Sequence, residues 1–308
     1  MISSADPIAA SFEFVQLQEC PLCGQAERSL AYQRQYQGME IRWERCGACR
    51  FVFQNPKLSR ESLNSIYRSS TYWNVQKMET RNGLRLGYSD YAKGEAYRLR
   101  QSQWRLKQIR RFVSPGSRWL DVACATGFFV KTLADAGMLA WGVELSAQMA
   151  EFGRDRYGVH IEACDFDTYQ RPGAPLQAMS IWGADSNFYD PVETYRHANR
   201  MLAEDGWLFF NFWDFDHPIR PLLGEFKIGL NGLYQLNRKN VHLLLEKAGF
   251  QAQLVKMEWS FASLEAILSL TGRFLPLQWL GGLPLAQAIF QVPTFSGFLV
   301  AARKVRSV

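Results

Sequence analysis

Four of the six cysteines fall in two pairs, Cys20-Pro-Leu-Cys23 and Cys46-Gly-Ala-Cys49, with 22 residues between them. A Cys-x-x-Cys turn presents two thiolates to one ion, and a spacer of this length allows a hairpin to bring two such turns together. The pattern predicts a zinc ribbon with Cys20, Cys23, Cys46 and Cys49 as a closed tetrahedral set. With no position left open for water or substrate, the ion (Zn2+) is expected to be structural. Gly24 and Gly47 are expected to relieve the crowding of the two turns.

A second group of residues lies at the ends of apparent strands. The run Trp119-Leu-Asp-Val-Ala-Cys-Ala-Thr-Gly127 reads as a strand passing into a turn of small residues, and Gly142-Val-Glu144 closes the next strand. Small side chains let a ligand approach the backbone, Asp121 can order the turn, and the two oxygens of Glu144 suit the paired hydroxyls of a ribose. The glycine fingerprint of dinucleotide binding, G-x-G-x-x-G, does not occur in this turn.

The elements that must carry these residues alternate. Strands are predicted over 118–123, 139–144, 160–163, 179–182 and 207–212, with helices over 127–136, 146–157, 191–202 and 239–248. Such alternation makes a mostly parallel, doubly wound α/β sheet with helices on both faces, and ligands in such sheets sit beyond the carboxyl ends of the strands. Ahead of it, the segment from 57 to about 97 is rich in Tyr, Arg and Gly and reads as short helices and loops able to cover a pocket. From Arg98 the pattern is helical, with Leu99, Leu106, Ile109 and Val113 on one side. Arg98, Arg100, Arg105, Lys107, Arg110 and Arg111 are expected on a solvated back.

The chain has 308 residues, 47% hydrophobic and 21% charged, which suffices for a real core and excludes fibrous or wholly disordered classes. Its 35 basic and 29 acidic residues give a formal charge of +6, which favours polyanions without requiring them. The N-terminal residues lack the pattern of a secretory signal, so a cytoplasmic location is expected. The uncharged stretch 274–302 is cut by Pro276, Pro284 and Pro293. It is expected to be a hydrophobic cover rather than a membrane span, with a membrane-surface contact or homodimer interface as the other readings.

Residues 118–303 resemble the class I S-adenosylmethionine-dependent methyltransferases, whose usual opening is a DxxCxTG-type turn followed by a strand-terminal Glu. The resemblance implies a Rossmann-like seven-stranded sheet. Gly206-Trp-Leu-Phe-Phe would be its fifth strand, Leu245-Glu-Lys-Ala-Gly-Phe250 would lead into the sixth, and Gly297-Phe-Leu-Val-Ala-Ala-Arg303 would be an antiparallel seventh. It further implies S-adenosyl-L-methionine as cofactor. Asp121, Ala123, Cys124, Ala125, Thr126 and Gly127 would border its methionine half, Glu144 would hold the ribose, Leu145 and Phe166 would flank adenine, Asp165 would accept from the adenine amino group, and Trp182 would lie alongside.

Two departures stand out. Alanine replaces the family's glycine at 123 and 125, and Ser186 and Asn187 stand where many small-molecule members carry Glu-His. The remaining candidates for a general base are His217, Asp185 and Asp214, with His217 preferred because imidazole titrates near neutrality. Asn187, Asn211, Trp213 and Tyr234 are the expected neighbours of the acceptor.

The whole chain is similar to bacterial small-molecule, natural-product or sugar methyltransferases with an N-terminal four-cysteine ribbon. The expected divisions are a ribbon module at 1–56, a linker and substrate cover at 57–115, and a methyltransferase domain at 116–308 with a hydrophobic insert at about 261–295. The implied activity is O- or C-methylation of a small molecule. An RNA methyltransferase, or a non-catalytic partner protein that keeps the fold, are the open alternatives.

Overall fold

A computed structural model describes residues 12–36, 39–74, 94–170, 173–219, 229–263 and 288–308. The N-terminal part is a small antiparallel sheet. A short strand, β1 (Phe14–Val15), precedes the hairpin of β2 (Arg28–Tyr36) and β3 (Met39–Cys46). Two further strands follow, β4 (Val52–Gln54) and β5 (Lys57–Leu58), and β5 pairs with β1. In β3 the side chains alternate as the pleat dictates, with Ile41 and Trp43 buried and Glu40 and Arg42 outside. Helix α1 (Arg60–Arg68) begins where Ser59 Oγ accepts a hydrogen bond from Ser62 N at 3.2 Å, and α2 (Ser70–Asn74) follows at once.

The remainder alternates strands and helices. Helix α3 (Glu95–Ile109) leads into β6 (Arg118–Val122), α4 (Phe128–Asp135), β7 (Leu139–Glu144), α5 (Ala147–Tyr157), β8 (Ile161–Ala163) and β9 (Leu176–Ile181). Then come α6 (Pro191–Met201), β10 (Leu202–Trp213), a two-residue strand β11 (Tyr234–Gln235), α7 (Asn240–Lys247), β12 (Phe250–Ser263) and β13 (Ile289–Lys304). Seven of these strands form one sheet in the order β12-β13-β10-β9-β6-β7-β8. β6 to β10 run parallel, and β13 is antiparallel to both β10 and β12. The central strand β6 is buried from Trp119 to Val122, as expected of a strand covered on both faces. Capping is local and visible in sequence: Ser146 caps α5, and Asp190 Oδ1 accepts from the N–H groups of Val192 and Glu193 ahead of α6, with Pro191 in its first turn.

Strand β11 does not join this sheet. It pairs antiparallel with β4, so that the N-terminal sheet has the order β11-β4-β3-β2. Trp43 Nε1 donates to Gly232 O at 2.8 Å, and the buried Gln54 donates through its backbone N to Leu233 O and through Nε2 to Leu230 O. One continuous apolar core therefore runs from Trp43 and Phe51 to Leu120, Met179 and Phe210. A second cluster, around Trp119, Phe129 and Phe209, fills the opposite face of the seven-stranded sheet.

The expected insert at 261–295 is partly strand: Phe261–Ser263 and Ile289–Phe295 extend β12 and β13 as a hairpin. Residues 264–287, including Leu264, Ile267, Leu268 and Leu270, lie outside the described residues, as do 75–93 of the expected cover. Among the described residues no helix is long and apolar enough to cross a membrane.

Candidate functional site

The four cysteine sulfurs of the ribbon lie within 4.8 Å of one another, with Cys20 and Cys49 Sγ 3.7 Å apart and Cys23 and Cys46 Sγ 3.5 Å apart. The two turns match: Gly24 N donates to Cys20 O and Arg50 N to Cys46 O, and both Gly24 and Arg50 adopt left-handed backbone, φ 80° and 60°. Arg50, not Gly47, thus supplies the second positive dihedral. Gly47 is small for another reason, since a Cβ there would stand 3.0 Å from Glu27 Cδ. The Cys20 thiol and burial push the Cys49 thiol well up, so thiolate at this point calls for a cation. Four convergent sulfurs fit a structural Zn2+.

Beyond the carboxyl ends of the parallel strands lies a first cleft. Its floor is the turn after β6, where Ala123 (φ 52°), Ala125 (φ 49°) and Gly127 (φ 76°) are all left-handed. The alanines therefore adopt the backbone that glycine would take more easily, at a cost of about 1 kcal/mol each. Only methyl groups project from these two positions. Gly127 cannot be replaced so cheaply, because a Cβ there would meet Ile161 Cδ1 at 2.7 Å. Glu144, at the end of β7, ties the turn down: Oε2 accepts from Ala125 N and Oε1 from Ser146 N, both at 2.8 Å. Burial pushes its carboxyl up, and the N–H groups of Ser146, Ala125 and Leu145 oppose that.

The far wall of this cleft comes from the chain after β8. Asp165 accepts from Asp167 N and from Asn64 Nδ2, Phe166 packs edge-on against His197, and Asp167 pairs with Arg60 and accepts from Thr194 Oγ1. Trp182, Gly183, Asn187 and Tyr189 complete the rim, and Leu63, Tyr67, Tyr72 and Trp73 from α1 and α2 form the roof. Tyr189 is clasped by two cations, with Lys57 Nζ 3.5 Å and the Arg60 guanidinium 4.6 Å from its ring centre.

A second cleft opens on the other side of Ala123, Trp182 and Gly183, which line both. Asp121, Cys124 and Phe128 are on its inner wall, and Tyr97, Gln101 and Arg105 reach it from α3. Asn211, Trp213 and Glu258 come from β10 and β12. Asp121 Oδ1 accepts from Ser180 Oγ at 2.5 Å, and Ser180 Oγ accepts from Trp119 Nε1 at 3.0 Å. Burial pushes the Asp121 carboxyl up to about 7, against the Ser180 hydrogen bond and the charge of Arg105.

Asp121, Ala123, Cys124, Ala125, Glu144, Leu145, Asp165, Phe166 and Trp182 thus line one cleft or both, whereas the buried Thr126 and Gly127 line neither. Asn187 lines the first cleft, Asn211 and Trp213 the second, with Trp213 39% exposed.

Four other expectations fail on position. Tyr234 is 2% exposed in β11, with its ring 5.4 Å from that of Phe51, so it belongs to the junction with the ribbon. His217 caps its own turn, Nδ1 accepting from Ile219 N at 3.4 Å, and its ring faces Phe298. Asp214 is buried and accepts from Asp216 N at 3.1 Å. Asp185 is buried next to the first cleft with its carboxyl pushed up to about 7 by burial, against its own and Ser186's N–H groups. None of these four lines either cleft.

Conversely, Arg105 is not on a solvated back. Its side chain is 16% exposed, its guanidinium lies 4.7 Å from the Trp182 ring centre, and Nε donates to Glu258 Oε1 at 2.7 Å. Neither Glu258 nor Gln101 carries a sequence signal, because their partners are distant in the chain. Arg60 and Asn64 could have been suspected from the helical spacing that puts them on one face with Leu63.

Residues 96–255, just over half of the chain, match the family model described as "Methyltransferase domain". No curated protein sequence matches the chain. Among solved structures, the chain is similar to magnesium protoporphyrin IX methyltransferase from Synechocystis PCC 6803 with S-adenosylhomocysteine bound, at 11% identity and a TM-score of 0.50, over 80% of this chain and 100% of that one. It is also similar to a chain from the complex of the Haloferax volcanii Trm112 methyltransferase activator, at 14% identity and a TM-score of 0.51, over 70% of this chain and 93% of that one. A SAM-dependent methyltransferase from Aquifex aeolicus matches at 14% identity and a TM-score of 0.45, over 70% and 94%. At these identities the first two structures speak for the fold alone; with the family match over residues 96–255, the chain belongs to the methyltransferase domain family.

Proposed function

We propose that the protein transfers a methyl group from S-adenosylmethionine to a small-molecule acceptor, at oxygen or carbon. The observation that carries this reading is the pairing of Glu144 with the left-handed alanine turn. The turn leaves its backbone approachable, and the Glu144 carboxylate, toward which the N–H groups of Ala125, Ser146 and Leu145 are directed, keeps acceptor capacity for a ligand hydroxyl. On this reading Glu144 holds the ribose, Leu145 and Phe166 flank adenine, and Asp165 accepts from its amino group. Bound there, the cofactor supplies an electrophilic methyl group on a sulfonium. The chain's own contribution is orientation and exclusion of water.

That emphasis follows from the linings. His217, Asp185 and Asp214 stand outside both clefts, and no histidine lines either of them. The acceptor is held near Ala123, Trp182 and Gly183, with Asn187, Asn211 and Trp213 as neighbours. Leu63, Tyr67, Tyr72 and Trp73 support the role of residues 57–115 as cover, and the ribbon at 1–56 serves as a zinc-braced scaffold beside the methyltransferase domain at 116–308. A nucleic-acid acceptor is disfavoured because Arg105, one cation of the basic helix, is spent on Glu258 and Trp182.

Calorimetric titration with S-adenosylhomocysteine tests the reading. Glu144→Ala removes the acceptor of the ribose hydroxyls and should weaken binding by about 10- to 100-fold. Folded, zinc-loaded wild-type protein that ignores both S-adenosylmethionine and S-adenosylhomocysteine would refute it.

A further inference from the structure

Strand β12 is irregular where it passes the second cleft. Met257 pairs with Phe298 but Trp259 pairs with Pro293, so Glu258 stands alone opposite Thr294–Gly297. On that partner stretch Phe295 is left-handed, φ 59°, and Thr294 Oγ1 donates to Glu258 O at 2.7 Å, which pins the irregularity in place. The extra residues lie on β13, whereas Glu258 shares a face of β12 with Lys256, which donates to Gln108 Oε1 of α3, and turns toward that helix a carboxylate that is 2% exposed.

The Glu258 carboxylate has three donors among the described residues. Oε1 accepts from Arg105 Nε at 2.7 Å and Gln101 Nε2 at 3.0 Å, and Oε2 accepts from Asn211 Nδ2 at 2.8 Å. Each of two partners then fixes one wall of the junction between the clefts: Arg105 lies over Trp182, and Asn211 Oδ1 accepts from Gly183 N at 2.7 Å. Trp182 and Gly183, with Ala123, are the residues common to both clefts. The second cleft also retains polar atoms without a partner among the described residues, Gln101 Oε1 and Trp182 Nε1. One acceptor and one donor, next to the guanidinium of Arg105, suit the ammonium and carboxylate of an amino-acid group.

We propose that Glu258 is a positioning residue: through Arg105 and Asn211 it sets Trp182 and Gly183, and so fixes the opening through which the amino-acid end of an adenosyl ligand passes from the first cleft into the second. This rests on the reading that the first cleft takes the adenosine half.

Two probes separate the effects. S-adenosylhomocysteine has the amino-acid end, whereas 5′-methylthioadenosine stops just beyond the sulfur. In Glu258→Gln the new amide N–H2 faces a donor, since Asn211 cannot turn over without releasing Gly183 N. This variant should bind S-adenosylhomocysteine about tenfold more weakly while its affinity for methylthioadenosine stays within about twofold. The double variant Glu258→Met with Arg105→Met removes both charges together, so no buried ion is left unpaired, and it should show the same selective loss at a melting temperature close to wild type. An equal loss for both probes, or no loss for either, would overturn the positioning role. Wild-type protein that binds neither probe would instead overturn the reading of the first cleft, and the inference with it.

Discussion

In the first cleft the inward-facing carboxylate of Glu144 is held by backbone N–H groups of the turns that carry or adjoin it. In the second cleft Glu258 is held by side chains 153, 157 and 47 residues away in the chain. Both arrangements bury a carboxylate at the mouth of the same sheet. The first is assembled as soon as β6 and β7 pair, whereas the second exists only when α3, β10 and the β12–β13 hairpin have all docked. A backbone-held acid tolerates change around it; a side-chain network transmits every change to its neighbours.

The largest test of this contrast is removal of zinc. The ribbon leads directly into Lys57 and Arg60, which clasp Tyr189 at the first cleft, and into the roof formed by α1 and α2. Structural zinc contributes on the order of 10 kcal/mol to a module of this size. A strong chelator should therefore release the metal, detected with a colorimetric zinc indicator, and abolish methylthioadenosine binding in calorimetry. Retained binding would show that the first cleft stands without the ribbon.

A smaller effect concerns Asp121, on the inner wall of the second cleft. Its folded carboxyl sits at about 7, above the ordinary 3.8, so the fold favours the neutral form. Stability from this group is full below about pH 4 and is lost as pH rises through about 7, for a total on the order of a few kcal/mol. The wild-type melting temperature should thus fall more than that of Asp121→Asn as pH is raised from about 5 to about 8. Asp185, raised in the same way but outside both clefts, should show the same pH signature in Asp185→Asn with ligand affinity unchanged. The smallest effect is expected for His217→Ala, which removes a turn cap remote from both linings. Its affinity for S-adenosylhomocysteine should stay within about twofold of wild type.

The same contrast explains what could be read from the amino-acid sequence. The parallel part of the sheet, the ribbon and the Glu144 turn follow from local signals, namely alternation, Cys spacing and small residues at a strand end, whereas the antiparallel last strand is implied by the family resemblance alone. His217 and Tyr234 were expected at the cleft from element order alone, and order does not say which way a loop leaves the sheet. Tyr234 instead lies in β11, paired with Phe53 of the ribbon sheet. Arg105 follows the helical period of an exposed face, and only a buried carboxylate from β12 pulls it inward. No short-range pattern encodes that, because Glu258 and Arg105 are 153 residues apart in the chain.

Strand β11 has one more consequence. A protein engineer might cut the chain just ahead of Lys57, expecting a compact catalyst freed of its metal. The cut would strip Phe51 and Phe53 from Tyr234, and with Trp43 and Gln54 gone would leave the carbonyls of Leu230, Gly232 and Leu233 without donors. What remained would be a bare two-residue edge flanked by uncovered aromatic surface, an invitation to self-association. The ribbon is therefore not a portable attachment that can be swapped between relatives; grafting it elsewhere would require transplanting residues 229–237 as well.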